Sequence, residues 1–389
     1  MQFKRILSLP ELLAKKSFFL LGPRATGKSF LIREQLAQDA LIINLLNSTF
    51  YLRLLNNPSD LESIIAAQNK KIIVIDEIQR IPTLLNEVHR LIEEKSLTFL
   101  LTGSSARRLK GENVNLLAGR AWQTNLFPLT SKEIENFNLE HYLLHGGLPA
   151  VYGSKYPQEE LYAYVETYLR EEIQAESLVR KIPSFSRFLK VSALTSGQIL
   201  NFTNIASDAA VPTSTIREYY HILEDTLIGF IVPAWTKSVK RKAISAAKFY
   251  YFDIGVRNTL AEIKNIDPNS KLYGQAFEHF IMLELRSYLS YRRIKKNICY
   301  WRSKHGHEVD VIIGEDVAVE IKSTKQVSDK HLKNLRYLAE EGMIKRYILL
   351  SHDPINRKID NIEIMHWQSF IKMLWSDQLT TSTFIAAIE

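Results

Sequence analysis

The sequence has little cysteine, no long apolar run and no clustered set of cysteines and histidines. Cys299 is the only cysteine, which excludes an internal disulfide and fits a reducing compartment. No stretch approaches the ~18 apolar residues that a membrane-spanning helix needs, and the N-terminus lacks the apolar segment of a signal peptide. We therefore expect a cytoplasmic protein with no membrane partner. His305 and His307 have no companion cysteines, which favours a polar turn over a zinc site.

The chain is long and its charge is uneven. Its 389 residues exceed what a single hydrophobic core usually serves, so we expect two or three domains. The net charge of +8 is a mild basic excess, which permits a nucleic-acid partner without requiring one. Residues 1–155 and 241–389 each carry a net charge of +5, whereas residues 156–240 carry −2. We place the predicted domain boundaries between these three segments.

The string GPRATGKS, at residues 22–29, has the pattern of a phosphate-binding loop. The apolar run Ser17–Leu21 predicts a strand before it, and an amphipathic helix is predicted from Ser29 onward. Strand, GxxxxGK[ST] and helix form the context in which backbone N–H groups and a helix N-terminus surround phosphate oxygens. Lys28 is expected to reach the terminal phosphates, and the Ser29 hydroxyl to coordinate Mg²⁺. The residues predicted to contact ATP are Gly22, Pro23, Arg24, Ala25, Thr26, Gly27, Lys28, Ser29 and Phe30.

A second apolar segment, KKIIVIDEIQRIP, ends in two acids. Ile72–Ile75 predicts a buried parallel strand, and ligands of open α/β sheets bind at the C-terminal ends of such strands. Asp76 is expected to hold the hydration shell of Mg²⁺, and it also belongs to the predicted ATP site. Glu77 is expected to orient or deprotonate the attacking water. The alternative is that Glu77 is only an acid at a helix N-terminus.

Two further polar positions follow. The apolar run Leu97–Leu101 predicts a third strand, and Ser104 beyond its end is expected to touch the γ-phosphate or the water; a helix N-cap is the alternative. The chain continues at Ser105 with a second serine of the same kind. Arg120, in LLAGRAWQTN, is expected to stabilise transition-state charge in its own chain or in a neighbour of a homo-oligomer. The alternative is a plain surface arginine.

The strings GPRATGKS, IIVIDEIQ, FLLTGSSA and LLAGRA, in this order, resemble a prokaryotic family of AAA+-like ATPases. Members of that family carry a C-terminal domain of uncharacterised function. HGGLPAVY, KFYYFDIGVRNTL and GQAFEHFIMLEL extend the resemblance through the whole chain. The resemblance implies ATP binding by an αβα nucleotide domain, and a sensor or finger role for Arg120.

The acidic middle segment predicts helices. Residues 158–180 predict a long, acid-rich helix, and residues 199–242 predict two short helices, a strand and a basic turn, KSVKRK. This order resembles a winged helix-turn-helix. Arg217 on the second helix is accompanied by acids, and the segment is net negative, whereas phosphate contact needs cations. A structural or protein-docking role is therefore favoured over DNA reading, with only the KSVKRK turn favouring DNA.

The last segment, ICYWRSKHGHEVDVIIGEDVAVEIKST, predicts three strands joined by turns. Asp310 lies in an apolar strand, and Glu320 and Lys322 share one face of the next strand. This D-x₉-E-x-K pattern resembles the PD-(D/E)XK nuclease fold, although Val309 stands where that pattern has proline. The resemblance implies Mg²⁺ held by Asp310 and Glu320, water positioned by Lys322, and a third metal-binding acid, Glu278. The alternative is a solvated Glu–Lys pair beside a paired aspartate.

Together these patterns predict a P-loop αβα domain, a helical and winged-helix domain, and a small restriction-endonuclease-like α/β domain. The expected function is Mg²⁺-dependent ATP hydrolysis whose nucleotide state controls a nuclease-like domain acting on nucleic acid. Seven lysines and arginines without an acid between Leu285 and His307 favour contact with a phosphate backbone. The alternative is an ATP-gated protein-interaction switch in which the nuclease-like fold only binds.

Overall fold

A computed structural model of the chain describes residues 3–104, 117, 119–169, 182–238, 240–241 and 243–379. The described chain contains a parallel sheet near the N-terminus, a helical middle region and a mixed sheet near the C-terminus. None of the helices within these ranges is both long enough and apolar enough to cross a membrane.

The N-terminal sheet has five parallel strands in the order β2-β3-β4-β1-β5. They are β1 Ser17–Leu21, β2 Ala40–Asn44, β3 Ile72–Asp76, β4 Thr98–Gly103 and β5 Ala121–Asn125. Its helices are α1 Leu9–Leu13, α2 Lys28–Leu36, α3 Ser48–Asn56, α4 Asp60–Ala66 and α5 Leu84–Lys95. The three strands predicted from apolar runs are confirmed, and their near-complete burial is typical of strands covered on both faces. Because all five run parallel, their C-terminal ends meet at one edge.

The middle region is mainly helical. Its helices are α6 Leu139–His145, α7 Pro149–Tyr152, α8 Pro157–Ala163, a π-helix Tyr164–Leu169, α9 Ile182–Leu194, α10 Phe202–Ala209, α11 Thr213–Asp225 and α12 Ile254–Leu260. The helix predicted over 158–180 is seen up to residue 169, and the remainder of that prediction lies outside the described residues. The antiparallel pair β6 Gly229–Val232 and β7 Lys248–Tyr251 follows α11.

The C-terminal sheet has six strands in the order β12-β13-β11-β10-β9-β8. They are β8 Ile298–Arg302, β9 Glu308–Ile313, β10 Val317–Ile321, β11 Arg346–Ser351, β12 Arg357–Ile359 and β13 Ile362–His366. The predicted strand–turn–strand–turn–strand segment corresponds to β8, β9 and β10. The long helix α13, Lys271–Tyr291, and α15, Trp367–Trp375, pack on one face, and α14, Asp329–Ala339, packs on the other.

The two sheet regions share side-chain packing. Leu129 and Tyr142, which follow β5, lie in the same apolar core as the long helix α13. The ring of Tyr142 meets that of Phe280 on this helix edge to face, with centroids 5.4 Å apart. A movement of α13 therefore has to be accommodated by the segment next to the N-terminal sheet.

Candidate functional site

The loop between β1 and α2 is shaped by its glycines and closes around its lysine. A Cβ on Gly22 would lie 2.4 Å from the carbonyl oxygen of Leu126. The loop therefore passes too close to the segment after β5 for any side chain at position 22. Gly27 has a φ of 95° and is the N-cap of α2. The buried Lys28 ammonium donates to the carbonyl oxygens of Gly22, at 2.7 Å, and Pro23, at 3.0 Å. The predicted phosphate loop thus precedes a helix N-terminus, with Lys28 inside it.

Ser29 and Asp76 meet at the C-terminal edge of the sheet. The Ser29 hydroxyl donates to Oδ2 of Asp76 at 2.9 Å, and the hydroxyl of Thr102 donates to Oδ1. Asp76 is only 3% exposed, so its carboxylate is fixed between these two hydroxyls. A hydroxyl, one carboxylate and phosphate oxygens are the ligands that Mg²⁺ takes in P-loop sites, so these residues fit that ion.

Glu77 has a backbone conformation that is unusual for its residue type. Its φ of 63° and ψ of 45° lie in the left-handed region, and such strained residues cluster at functional sites. Its N–H donates to the Thr102 hydroxyl at 3.2 Å, and its carboxylate accepts from the Gln79 amide. The same amide also donates to the Ser104 hydroxyl at 3.2 Å. Glu77 thus lies beside the loop together with Lys28 and Ser29, whereas the Ser104 hydroxyl is buried and bound to the Gln79 amide.

A cleft of about 480 Å³ opens beside the phosphate loop. Its polar wall includes Arg24, Lys28, Ser29 and Glu77, and Ala25, Gly27 and Phe30 also line it. Residues of the middle region also line it, and they include Leu148, Val151, Glu160 and Tyr164. This volume is within the range of small-molecule sites, and apolar side chains combined with a few polar groups are typical of such sites. The side chain of Thr26, within the loop, is buried, and its hydroxyl donates to the carbonyl of Pro23 at 2.9 Å.

Arg120 is not brought to this cleft. Ser17 pairs with Ala121 and Leu21 with Asn125, so residue 120 lies at the end of the sheet opposite Gly22. The length of the strand separates the two ends by roughly 15 Å. The guanidinium of Arg120 instead pairs with Glu93 at 2.5 Å on the surface. A role for Arg120 in ATP hydrolysis would therefore require the cleft of a second copy of the chain.

The buried Arg5 side chain is hydrogen-bonded to the phosphate loop. Its guanidinium donates to the carbonyl oxygen of Thr26 at 2.7 Å and pairs with Glu133 at 2.9 Å, and both side chains of the pair are buried. It also donates to the hydroxyl of Tyr291, the last residue of α13, at 3.2 Å. Burial lowers the pKa of Arg5, but the charges of Tyr291 and Glu133 outweigh this effect and the pKa is raised. The loop is thus joined to the C-terminal region by one side chain.

Asp310, Glu320 and Lys322 converge in the C-terminal sheet. The Lys322 ammonium lies 2.6 Å from Oε1 of Glu320 and 3.9 Å from Oδ2 of Asp310. Oδ2 of Asp310 also accepts from the N–H of Ile321 at 2.8 Å. Glu320 is fully buried, and its second oxygen, Oε2, has no hydrogen-bond partner among the described residues. Burial and the neighbouring Asp310 carboxylate raise the pKa of Glu320.

Glu278 lies next to this group and is bound by a second lysine. The ammonium of Lys248, on β7, lies 3.2 Å from Oε1 of Glu278 and 2.7 Å from Oε1 of Glu308. The hydroxyl of Tyr250 also donates to Glu278, at 2.5 Å. Burial lowers the pKa of Lys248, but the adjacent carboxylates, Glu278 first among them, raise it well above its ordinary value. Burial raises the pKa of Glu278, and the positive charge of Lys248 opposes this rise.

The predicted Mg²⁺ ligands of the C-terminal sheet do not fit a cation in this arrangement. Over the described part of the chain, no three or more His, Cys, Asp or Glu side chains are grouped so that they could hold a metal ion. Lysine ammonium groups instead lie against the carboxylates of Glu278 and Glu320. Oε2 of Glu320, which has no hydrogen-bond partner among the described residues, leaves one position for an additional ligand.

Most of the basic stretch predicted to contact phosphates is already engaged. Arg292 pairs with Asp377 at 2.7 Å, Lys296 with Asp316 at 2.5 Å and Arg302 with Glu308 at 3.0 Å. Arg286 and Arg293 lie over aromatic rings, those of Phe230 and Trp122, at 4.1 and 4.4 Å. These contacts weaken the expectation that the stretch binds a nucleic-acid backbone.

The basic turn and the second helix of the middle region are engaged in a similar way. Lys237 pairs with Glu315 at 2.6 Å, and Arg241 pairs with Glu340, so the turn is attached to the C-terminal region. Val239 and Lys242 of the predicted KSVKRK wing lie outside the described residues. Arg217 lies over the ring of Phe202, at 4.3 Å. These cations of the middle region are therefore engaged in contacts within the chain.

Sequence reasoning missed Arg5, Lys248, Glu308 and the apolar wall of the cleft. Lys248 carried a signal, because it begins the apolar run KFYYF, where a lysine needs a buried partner. Arg5 carried none, since its partners lie 21 to 286 residues away in the chain. Leu148 and Tyr164 could not be assigned to a nucleotide cleft without knowing how the middle region packs.

Comparison with known protein families divides the chain into three matched segments. Residues 14–135 match the family described as AAA domain. Residues 136–267 match a domain of unknown function (DUF8612), and residues 273–370 match another (DUF4143). The first match covers the phosphate loop and the acids at the end of β3, and it agrees with a P-loop ATPase-like domain. The other two matches assign no activity.

Two relatives are similar over most of their length. An uncharacterized protein of Haemophilus influenzae is 24% identical over 380 residues, which cover 89% of this chain and 91% of that protein. An uncharacterized protein of Methanocaldococcus jannaschii is 24% identical over 389 residues, which cover 90% of this chain and 82% of that protein. The similarity therefore extends beyond the segment matched by the AAA domain.

Proposed function

We propose that the chain is a Mg²⁺-dependent ATPase whose nucleotide state is transmitted to its C-terminal domain. The observation that carries the first half is the junction of Lys28, Ser29 and Asp76 at the edge of a parallel sheet, with the Ser29 and Asp76 oxygens 2.9 Å apart. Ser29 and Asp76 would hold Mg²⁺, which supplies charge neutralisation for the phosphates when bound. Lys28 would exchange its loop carbonyls for phosphate oxygens, because hydrogen bonds between charged groups are the stronger ones.

Glu77 is the proposed general base. Its carboxylate lines the cleft, and its amide contact with Gln79 fixes its direction. A carboxylate at this position can accept the proton of the attacking water while Asp76 stays bound to its two hydroxyls. Steady-state hydrolysis of ATP, with and without Mg²⁺, tests the proposal. Absence of turnover in the wild-type protein with Mg²⁺ would contradict it.

Arg120 is proposed as a finger only between copies of the chain. It lies at the far end of the sheet from its own phosphate loop, and it is on the surface. Mixing Arg120→Ala with Lys28→Ala should then restore activity that each variant lacks alone, because one copy supplies the arginine and the other the loop. Activity of Arg120→Ala equal to that of the wild type would remove the residue from the mechanism.

Arg5 and Tyr291 carry the second half of the proposal. Thr26 in the loop, Arg5 and Tyr291 are linked by hydrogen bonds of 2.7 and 3.2 Å. Tyr291 ends the helix that also bears Glu278, about 20 Å away at the usual rise per residue. If this 21-residue helix moves as a rigid body, a phosphate that displaces the loop would also displace Glu278.

Hydrogen exchange tests this link. ATP should alter exchange along residues 271–291 in the wild type, and Tyr291→Phe should reduce this response because it removes only the hydroxyl that contacts Arg5. Tyr273→Phe is the matched control, since its hydroxyl lies at the other end of the same helix, 3.5 Å from His352. An equal ATP response in the wild type and Tyr291→Phe would contradict the link without affecting the ATPase proposal.

For the C-terminal domain, the contacts favour binding of a protein or nucleic acid without cleavage. The carboxylates lie against lysines, and the basic stretch is mostly engaged in ion pairs and ring contacts. The convergence of Asp310, Glu320 and Lys322 favours the second candidate, metal-dependent cleavage of nucleic acid. Incubation of DNA and RNA with Mg²⁺ or Mn²⁺, with and without ATP, separates the two. Cleavage that is lost in Asp310→Ala would establish the second candidate.

A further inference from the structure

We propose that the cleft between β6 and the C-terminal end of α13 binds a small organic monocarboxylate, whose charged group pairs with the guanidinium of Arg286. This cleft has a volume of about 500 Å³ and shares no lining residue with the cleft beside the phosphate loop. The inference therefore concerns a second ligand site, and it does not depend on ATP hydrolysis.

Arg286 is a half-buried cation that contacts aromatic rings instead of carboxylates. Its guanidinium carbon lies 4.1 Å from the centroid of the Phe230 ring and 5.0 Å from that of Phe127. Neither a hydrogen bond nor an ion pair joins this guanidinium to another residue in the described part of the chain. Ring contacts engage the flat faces of a guanidinium, whereas its N–H groups lie in its plane. These N–H groups are therefore available to an acceptor in the cleft.

The pKa of Arg286 agrees with this arrangement. Burial lowers it to about 10, and the negative charge of Glu224 only opposes this fall. Burial also lowers the pKa of Arg5, but there the charges of Tyr291 and Glu133 outweigh the effect and the pKa is raised. A cation that has lost much of its water without gaining a paired anion favours an anionic ligand, because the ligand supplies the missing charge.

The other charges of the lining favour a ligand with a single negative charge. Besides Arg286, the charged residues that line the cleft are Lys296 and Glu224. The Lys296 ammonium already contacts Asp316 at 2.5 Å, so Arg286 is the cation left for the ligand. The Glu224 carboxylate repels anions and acts twice as strongly on a dianion as on a monoanion. A carboxylate therefore fits this cleft better than a phosphate dianion.

The rest of the cleft is mostly apolar. Ser290 and Asn297 contribute neutral polar groups, and the apolar lining includes Phe230, Leu289 and Ile298. Sites for small molecules have volumes in this range and combine apolar side chains with a few polar groups that orient the ligand. A short aliphatic acid matches both parts of the cleft. Its carboxylate can accept two parallel hydrogen bonds from the guanidinium, and its hydrocarbon chain can replace water on the apolar side chains.

Titration of the nucleotide-free protein with hexanoate, followed by saturation-transfer nuclear magnetic resonance, tests the proposal. The wild type should bind hexanoate, and Arg286→Met should bind it about tenfold to a hundredfold more weakly, the usual effect of losing a hydrogen bond to a charged group. Arg293→Met is the matched control, since Arg293 also lies over an aromatic ring, that of Trp122, but does not line the cleft. Hexanoate should raise the melting temperatures of the wild type and Arg293→Met but not that of Arg286→Met. A purely structural role of Arg286 would not produce this ligand-dependent difference.

Two results would overturn the proposal. One is a folded Arg286→Met protein that binds hexanoate as tightly as the wild type does. The other needs no variant, because hexanamide has the same hydrocarbon chain without the charge and inorganic phosphate has charge without the chain. Both should bind the wild type more weakly than hexanoate does. Wild-type protein that binds either of them as tightly as hexanoate, or that binds no hexanoate, would contradict the proposal even if Arg286→Met does not fold.

Discussion

The phosphate loop and the C-terminal carboxylate cluster each place a buried lysine near an acid at a sheet, but the contacts of the two lysines differ. The Lys28 ammonium donates to the neutral carbonyls of Gly22 and Pro23 at the edge of an open cleft. The Lys248 ammonium contacts the carboxylates of Glu278 and Glu308. A phosphate can replace a neutral carbonyl with a gain in hydrogen-bond strength, whereas it cannot displace a carboxylate to any advantage. The same residue type is thus suited to phosphate binding in one region and to ion pairing within the fold in the other.

The difference also appears in the acids. Asp76 is bound by two neutral hydroxyls, those of Ser29 and Thr102, which can rotate to accommodate a metal ion. Glu278 on α13 and Glu320 on β10 are instead bound by lysine ammonium groups, which compete with a metal ion for the same oxygens. Motif spacing alone does not distinguish these two situations.

The largest expected effect is that of Glu77→Gln on turnover. The amide cannot accept the proton of water, so kcat should fall by about 10²- to 10⁴-fold, the usual contribution of a general base. ATP affinity should be nearly unchanged, because Lys28 and the loop are intact. Steady-state ATPase assays and nucleotide titrations check both parts. Equal kcat in the two proteins would contradict the role of Glu77.

Lys28→Ala should lower ATP affinity by about 100-fold, since a hydrogen bond to a charged group contributes about 1.5–3 kcal/mol. Titration with a fluorescent ATP analogue measures it. Lys15→Ala, a change at an exposed lysine just before β1, is the matched control. If both variants bind like the wild type, the cleft beside residues 22–30 is not the nucleotide site.

Asp253 is a further buried acid, and it sharpens the comparison because backbone amides bind it instead of lysines. Asp253 accepts from the N–H groups of Gly147, at 2.8 Å, and Val256, at 3.0 Å. Burial raises its pKa to about 6, although these amides oppose the rise. The folded protein therefore takes up a proton on Asp253 near pH 6, whereas the unfolded chain does so only near pH 4.

Because of this difference in pKa, the Asp253 carboxyl should make the protein less stable as the pH rises from about 4 to about 6. The equilibrium constant for unfolding should rise by up to about tenfold per pH unit. Asp253→Asn should be less stable than the wild type, because its amide nitrogen cannot accept from Gly147, but the gap should narrow over this interval. Urea unfolding at pH 4.5 and pH 7 measures the gap. A gap that widens with pH would contradict the assignment.

The smallest effect is expected for the middle region. Arg217→Ala should leave nucleic-acid affinity unchanged, because this guanidinium already lies over Phe202 and its helix also carries Glu218, Glu224 and Asp225. Lys304→Ala, at an exposed turn next to the C-terminal cluster, is the comparison, and it should reduce any affinity more. Replacing the basic residues at 292–296 should also lower nucleic-acid affinity more than Arg217→Ala does. Fluorescence anisotropy with labelled DNA and RNA measures all three, and a larger loss from Arg217→Ala would restore DNA reading.

The sequence was sufficient to predict the strands that carry the phosphate loop and Asp76, because buried parallel strands are continuous apolar runs. It was also sufficient to predict that Asp310 and Lys322 come close, since Asp310 lies on β9 and Lys322 directly follows the neighbouring strand β10. It could not show that Lys248 reaches the same acids from another region, because contacts between segments distant in sequence leave no local periodicity. The sequence could not place Arg120 relative to the phosphate loop, since this depends on which end of β5 lies beside the loop.

The central claim is that the chain binds a divalent cation only where a nucleotide supplies phosphate oxygens. The most direct measurement is the number of Mn²⁺ ions bound by wild-type protein with and without a non-hydrolysable ATP analogue. The account predicts one Mn²⁺ per chain that requires the analogue and is lost in Ser29→Ala but not in Asp310→Asn. Mn²⁺ that binds without the analogue and disappears in Asp310→Asn would contradict it.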